Sequence, residues 1–166
     1  MRMLGELTAA SDKSISHRGI ILGSIAGGVT KINNFLLGED CIATIDCFRR
    51  LGIKIEMNND EILIHGGTLS PYNGVLDTKN SGTTTRLLIG LLSGYPFKST
   101  INGDESLQKR PMKRVIYPLS QMGAVINAVN ENFCPLTING GNLNGISYMM
   151  PVASAQIGRA SCRERV

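Results

Sequence analysis

The apolar positions of this chain alternate between two rhythms. Ile15, Ile20, Ile21, Leu22, Ile25 and Ala26 recur at helical spacing, as do Leu87, Leu88, Ile89, Leu91 and Leu92, and each run predicts a helix. Glycine follows both, as Gly27-Gly28 and as Gly94, and reads as a left-handed helix stop. A strand-like stretch comes next, 29–35 in the first case and 98–102 in the second. Then an acidic turn, Glu39-Asp40 or Asp104-Glu105, opens a second helix that ends at Leu51-Gly52 or Met122-Gly123. In the first of these helices the acids at the start, with Arg49 and Arg50 near the end, complement the helix dipole. Period-two stretches complete the pattern: 53–57 and 61–65 around Asn58-Asn59-Asp60, then 124–129 and 134–138 around Asn130-Glu131-Asn132. Both read as hairpins, and both close on a glycine pair, Gly66-Gly67 and Gly140-Gly141.

Helix, strand, helix, strand, strand thus occurs twice at a spacing of about 70 residues, longer than that of solenoid repeats. A strand before each first helix makes the unit βαβαββ. The expected fold is α+β, built of two such units and the start of a third, with helices packed on sheets. Pro111 is expected at or near the start of a helix, whereas Pro118 falls inside one and is expected to bend or split it. Residues 142–150 read as linker and strand of the third unit, and 151–156 as its polar loop. Beyond them, 158–166 turns abruptly polar with Arg159, Arg163 and Arg165, and reads as an appended tail foreign to the domain, with a native basic tail as the alternative. The domain is expected to occupy residues 1–157.

Composition narrows the function classes. With 42% hydrophobic and 18% charged residues, the 166-residue chain is globular, not disordered. It has no apolar run of membrane-spanning length and no signal-peptide core, and Glu6 argues against a transit peptide, so a cytoplasmic protein is expected. Cys41, Cys47, Cys134 and Cys162 form no Cys-x-x-Cys pair, and neither histidine stands near them in metal-ligand spacing. They read as buried free thiols, and no metal or cofactor is expected. A net charge of +4 suits anionic small molecules. It also fits weak nucleic-acid binding, but tryptophan is absent and no aromatic-interleaved basic patch offers a stacking surface.

The candidate chemistry sits where helices begin. Asp12-Lys13-Ser14-Ile15-Ser16-His17-Arg18 places a lysine, hydroxyls, a histidine and an arginine at a helix start, where free N–H groups and the helix dipole favour anions. Asn80-Ser81-Gly82-Thr83-Thr84-Thr85-Arg86 repeats the device. Its glycine permits close approach, and its threonines are further candidate anion contacts. Simple capping, by Asp12 or Ser14 in the first and by a hydroxyl in the second, is the competing reading. Lys109, Arg110, Lys113 and Arg114 add four cations within six residues beside another helix start. No phosphate-loop, dinucleotide, zinc or nucleophile–base motif is present.

Together these segments, with Gly103-Asp104, Ser106-Leu107, Lys109-Arg110-Pro111-Met112 and Ser154-Ala155-Gln156, resemble the 5-enolpyruvylshikimate-3-phosphate (EPSP) synthase family, in the family's order, over residues 12 to about 157. The resemblance implies a two-domain enzyme, each domain made of three βαβαββ units. It implies that Lys13, Ser14, Arg18, Ser154 and Gln156 bind shikimate 3-phosphate. Lys13, Gly82, Arg110 and Gln156 would bind phosphoenolpyruvate, with Lys13 as the catalytic group. Gly82 matches the glycine of glyphosate-sensitive members. Where the family has Pro-Gly before Asp-Lys-Ser, this chain has Ala10-Ser11.

The implied reaction is metal-free carboxyvinyl transfer from phosphoenolpyruvate to the 5-hydroxyl of shikimate 3-phosphate, in aromatic amino-acid biosynthesis. The implied partners are those two substrates and the C-terminal domain of the same enzyme, with neither nucleic acid nor membrane. Because that domain supplies the acidic proton-transfer residues in the family, the chain alone is expected to be inactive. Two alternatives are weighed. UDP-N-acetylglucosamine enolpyruvyl transferase shares the repeated fold, but its lysine–asparagine start and cysteine loop do not match. A non-catalytic nucleotide- or RNA-binding module of this fold is the other.

Overall fold

The computed structural model describes residues 9–58 and 61–149. The first helix, α1 (Lys13–Ile25), leads into β1 (Gly28–Ile32), α2 (Glu39–Arg50), β2 (Lys54–Asn58) and β3 (Glu61–Gly66). The second half runs β4 (Val75–Asp77), α3 (Gly82–Ser93), β5 (Lys98–Asn102), α4 (Glu105–Gln108), α5 (Lys113–Gln121), β6 (Val125–Val129) and β7 (Phe133–Asn139). The expected helix–strand order is therefore present in both halves, with shifts of one to three residues at strand ends.

Two sheets form. One has the order β1-β3-β2, all antiparallel, with Thr30 opposite Ile64 and Ile55 opposite Ile64 from the other side. The other has the order β4-β5-β7-β6, with β4 parallel to β5 and the remaining pairs antiparallel. Alternation explains their packing. Ile62 and Ile64 of β3 are buried, as are Leu136 and Ile138 of β7, because alternate residues of a strand share one face. Those faces meet α1 and α3, and α2 bridges the helices, packing on α1 and on α3. Phe48, Ile45 and Leu51 of the α2 segment are fully buried with Leu88, Ile89 and Leu92 of α3, in one continuous core.

The halves use the same joints. Gly67 N–H donates to the Ser24 carbonyl at 3.0 Å, and Gly141 N–H to the Ser93 carbonyl at 3.0 Å, so each glycine pair clamps the end of the preceding first helix. A Cβ on Gly66 would collide with the carbonyl oxygens of Gly23 and Ala26, and one on Gly140 with those of Leu92, Ser93 and Tyr95. Only glycine allows so close an approach. The second helices end alike too: Ile53 N–H reaches the Phe48 carbonyl and Ala124 N–H that of Leu119, both at 3.0 Å.

Three details differ from the sequence expectations. The second long helix of the latter half is split, but the break lies at 109–112 and α5 runs through Pro118. Pro118 turns inward with Val115, Ile116 and Leu119, where its ring packs in the core. Pro111 stands just before the helix cap, near the helix start as expected. Asn132, from the β6–β7 turn, caps α5 by accepting the Met112 and Lys113 N–H groups on Oδ1 at 3.0 and 2.8 Å. Gly94 is right-handed at φ −88°, because the last turn of α3 closes through its own N–H to Leu91 and Leu92. Residues 142–149 form no strand: no described strand pairs with them, and Asn144 N–H instead reaches the Met122 carbonyl at 2.8 Å.

Candidate anion site at converging helix starts

The first cluster begins with a cap. Asp12 accepts the Ile15 N–H on Oδ1 at 2.7 Å and starts α1. This places Lys13, Ser14 and Arg18 on the first turns, with Lys13 and Arg18 exposed. The Arg18 guanidinium donates from Nη1 to the Ser14 carbonyl at 3.0 Å, which folds the side chain back over the start of its own helix. Lys13 pairs with Asp40 at the start of α2, where its side chain is 53% exposed and that of Asp40 25%. The pair is open to water, so it is weak and its lysine is available for exchange to another anion.

The second cluster is built around Gly82. Ser81 caps α3, accepting the Thr84 N–H on Oγ at 3.2 Å. Thr84 and Thr85 are buried and committed within the protein, Thr85 donating to the Ser81 carbonyl at 2.8 Å and lying 2.8 Å from Thr78 Oγ1. These two threonines therefore build the loop and do not offer hydroxyls to a ligand, which corrects the sequence expectation. The contact groups are cationic instead. A Cβ on Gly82 would stand 2.7 Å from Nη1 of Arg86 and 3.3 Å from Nη1 of Arg110. Two guanidinium groups thus crowd one helix N-terminus. Arg110 is held by Asn80 Oδ1. Arg86 donates to the carbonyls of Gly82 and Pro111, both at 3.1 Å.

The electrostatics point one way. Burial, followed by the charges of Arg110 and Arg114, lowers the pKa of Arg86. Among the described residues its buried Nε has no partner, and no carboxylate forms a salt bridge with Arg18, Arg86, Arg110 or Arg114. Like charges gathered at a positive helix end are stabilised by a bound anion.

The two clusters are joined through α2. Asp40 holds Lys13 by its side chain, and its carbonyl lies 3.3 Å from Oγ1 of Thr84, two residues beyond Gly82. Asp40 thus ties the start of α1, with Lys13, Ser14 and Arg18, to the start of α3, with Gly82 and Arg110 beside it. Ser154 and Gln156 lie outside the described residues. Sequence reasoning gave Asp40 only a helix-dipole role and gave Asn80 and Arg86 no individual role. The acidic turn before α2 was a signal for Asp40, and the recurrence of Arg18 and Arg86 at matching places was one for Arg86. Among the described residues no group of His, Cys, Asp and Glu could hold a metal ion, and no helix is long and apolar enough to cross a membrane.

Comparison with known proteins agrees with these motifs. The family model for EPSP synthase (3-phosphoshikimate 1-carboxyvinyltransferase) matches residues 1–160. A 3-phosphoshikimate 1-carboxyvinyltransferase of Thermoanaerobacter sp. (strain X514) is 52% identical over 155 residues, covering 92% of this chain and 37% of the relative. The enzyme of the same name from Bacillus subtilis (strain 168) is 50% identical over 157 residues, with the same coverage. The chain thus spans little more than a third of these relatives. The structure of EPSP synthase from Acinetobacter baumannii superposes with a TM-score of 0.88 at 45% identity, over 94% of this chain and 36% of that one. From its motifs, its mixed α+β fold and these matches, the chain belongs to the EPSP synthase family.

Proposed function

We propose that this chain is the N-terminal part of an enzyme that transfers the carboxyvinyl group of phosphoenolpyruvate to the 5-hydroxyl of shikimate 3-phosphate. The observation that carries the reading is the pair of guanidinium groups, Arg86 and Arg110, set against Gly82 at the start of α3 without a carboxylate partner among the described residues. Such a pair suits a small, doubly anionic molecule. Phosphoenolpyruvate fits there, bordered by Gly82, Arg110 and Lys13, and the family motif adds Gln156 to its ligands. Shikimate 3-phosphate fits beside it on Lys13, Ser14 and Arg18, and the family motif adds Ser154 and Gln156 to its ligands.

In this reaction the 5-hydroxyl gives up its proton and its oxygen adds to C2 of phosphoenolpyruvate, while C3 takes a proton. The tetrahedral adduct then loses phosphate and a proton from C3. Lys13 and Arg110 serve by positioning the reactants and by balancing negative charge at phosphate and carboxylate, which needs no metal or cofactor. Asp40 holds the Lys13 ammonium at the start of α1 until substrate replaces it.

The matched joints at Gly66 and Gly140 support two copies of one βαβαββ unit, with a third begun. We assign residues 1–157 to this domain and 158–166 to a tail outside it. The enzyme works in the cytoplasm, with neither nucleic acid nor membrane as partner. The proton-transfer groups belong to the C-terminal domain, so the chain alone is inactive. Phosphate release from the two substrates tests this. Full-length enzyme carrying this chain is expected to release phosphate and to lose at least about tenfold in kcat/KM in Arg110→Ala, a loss of about 1.4 kcal/mol in transition-state stabilisation. Turnover by the isolated chain, or an unchanged Arg110→Ala enzyme, would refute the assignment.

A further inference from the structure

One buried polar line crosses three helices. Ser81 Oγ lies 2.6 Å from Thr84 Oγ1, Thr84 Oγ1 lies 2.8 Å from Thr44 Oγ1, and Thr44 Oγ1 lies 2.8 Å from Nδ1 of His17. All four residues are fully buried. Both threonine hydroxyls also reach the Asp40 carbonyl, Thr44 at 3.2 Å and Thr84 at 3.3 Å. The line therefore runs from α1, through α2, to the cap of α3.

The protons can be placed by counting donors and acceptors. With the imidazole proton on Nδ1, His17 donates to Thr44 and Thr44 donates to Thr84. Ser81 also donates to Thr84, and Thr84 donates to the Asp40 carbonyl. Ser81 accepts the Thr84 N–H. Every hydroxyl then has a partner, and only a bare lone pair remains at Nε2, which is buried without a partner among the described residues. The opposite tautomer reverses the threonine donors, takes both hydroxyl protons away from the Asp40 carbonyl and strands an N–H donor at Nε2. A stranded buried donor is costly. Burial first, then Asp40 in opposition and Lys13 and Arg18 in support, leaves the imidazole with a lowered pKa and hence neutral near pH 7.

We propose that His17, protonated on Nδ1, is a positioning residue that locks the start of α1 to the start of α3 through Thr44 and Thr84. The lock fixes the spacing between the Lys13–Arg18 half and the Gly82–Arg110 half of the site, and it rests on the reading of those halves given above. His17 lies between Ser14 and Arg18 in the sequence, and Thr84 lies two residues after Gly82. A fully satisfied chain of hydrogen bonds in a buried setting is stiff, so a displacement at one end is felt at the other.

Nitrogen-15 NMR of the ligand-free chain tests this. The wild-type imidazole is expected to be neutral with its proton on Nδ1. His17→Phe keeps the ring volume and removes the donor; it is expected to shift the amide signals of Ser81, Gly82 and Arg86, none of which hydrogen-bonds to His17. His17→Asn returns a donor to the Nδ1 position and is expected to bring those signals back. Thr44→Val is expected to reproduce the His17→Phe pattern, with the Ile138 signal of β7 unmoved as a check of the fold. A proton on Nε2, or α3 signals unmoved in Thr44→Val, would overturn the proposal even if His17→Phe fails to fold. No substrate enters the measurement, so its outcome is independent of whether phosphoenolpyruvate and shikimate 3-phosphate are the ligands.

Discussion

Nη1 of Arg86 stands 2.7 Å from the point a Cβ on Gly82 would occupy. The glycine keeps open the space in which two guanidinium groups face a helix N-terminus. In Gly82→Ala the clash is with the far end of the flexible Arg86 side chain, which shifts aside, so the fold survives. The thermal midpoint of the full-length enzyme is expected to change little. Its affinity for phosphoenolpyruvate is expected to fall about tenfold, or about 1.4 kcal/mol, because the methyl group takes part of the anion's place. Calorimetry read beside a melting curve separates the two effects. Wild-type affinity in the variant would place the anion elsewhere.

Gly66 and Gly140 occupy matching joints, and alanine at either should drive a methyl group into backbone carbonyls that cannot swing aside. Each substitution is expected to cost about 1–3 kcal/mol in denaturant unfolding, the usual cost of overpacking. Gly67→Ala and Gly141→Ala are the controls, since a Cβ at either meets nothing within 4 Å. A loss at one joint and none at the other would argue against two copies of one unit.

The His17 imidazole gives the stability a pH slope. Burial lowers its pKa in the folded chain, whereas the unfolded chain takes up the proton near the ordinary value of 6.5. Below that value the unfolded state binds more protons, so stability falls as pH drops from about 6.5 towards the folded pKa. Melting curves from pH 7.5 to 5.5 are expected to show this fall, and His17→Asn is expected to flatten it. An equal slope in both proteins would assign the pH dependence to other groups.

Three thiols are protected by their surroundings. Burial, then the charges of Asp77 and Asp46, pushes Cys47 up to about 12. Burial pushes Cys134 up to about 11 against the pull of Arg86. Burial also raises Cys41. Thiolate is the reactive form, so iodoacetamide at neutral pH is expected to leave all three unmodified in the folded chain and to modify them after denaturation. Mass spectrometry reads the result, and rapid labelling of Cys47 in the native chain would contradict it.

What the sequence revealed and concealed follows from range. The helical spacing around Ile20 and Leu88, the acidic start and basic end of α2, and the alternation in β3 and β7 are local signals, and each element stands where they place it. The break before α5 was misplaced because its cap, Asn132, lies across a hairpin, while inward packing keeps Pro118 within the helix. The same limit applies to the site. Lys13, Gly82 and Arg110 were legible as motif residues at helix starts. Asp40 looked like a dipole partner for its own helix until the fold set it beside Lys13, and Thr44 carried no signal at all before α1 and α3 were brought to its two sides.

The most direct measurement is a titration of the nitrogen-15-labelled chain with shikimate 3-phosphate, alone and then with phosphoenolpyruvate. Shifts centred on Lys13, Ser14 and Arg18 are expected with the first ligand, at the millimolar affinity that follows from the proposal that a second domain supplies the remaining contacts. Movement of Gly82 and the Arg110 side chain is expected with the second. Spectra that do not change, or shifts that appear only with RNA and vanish steeply as salt rises, would contradict the assignment of these helix starts as half of a substrate clamp.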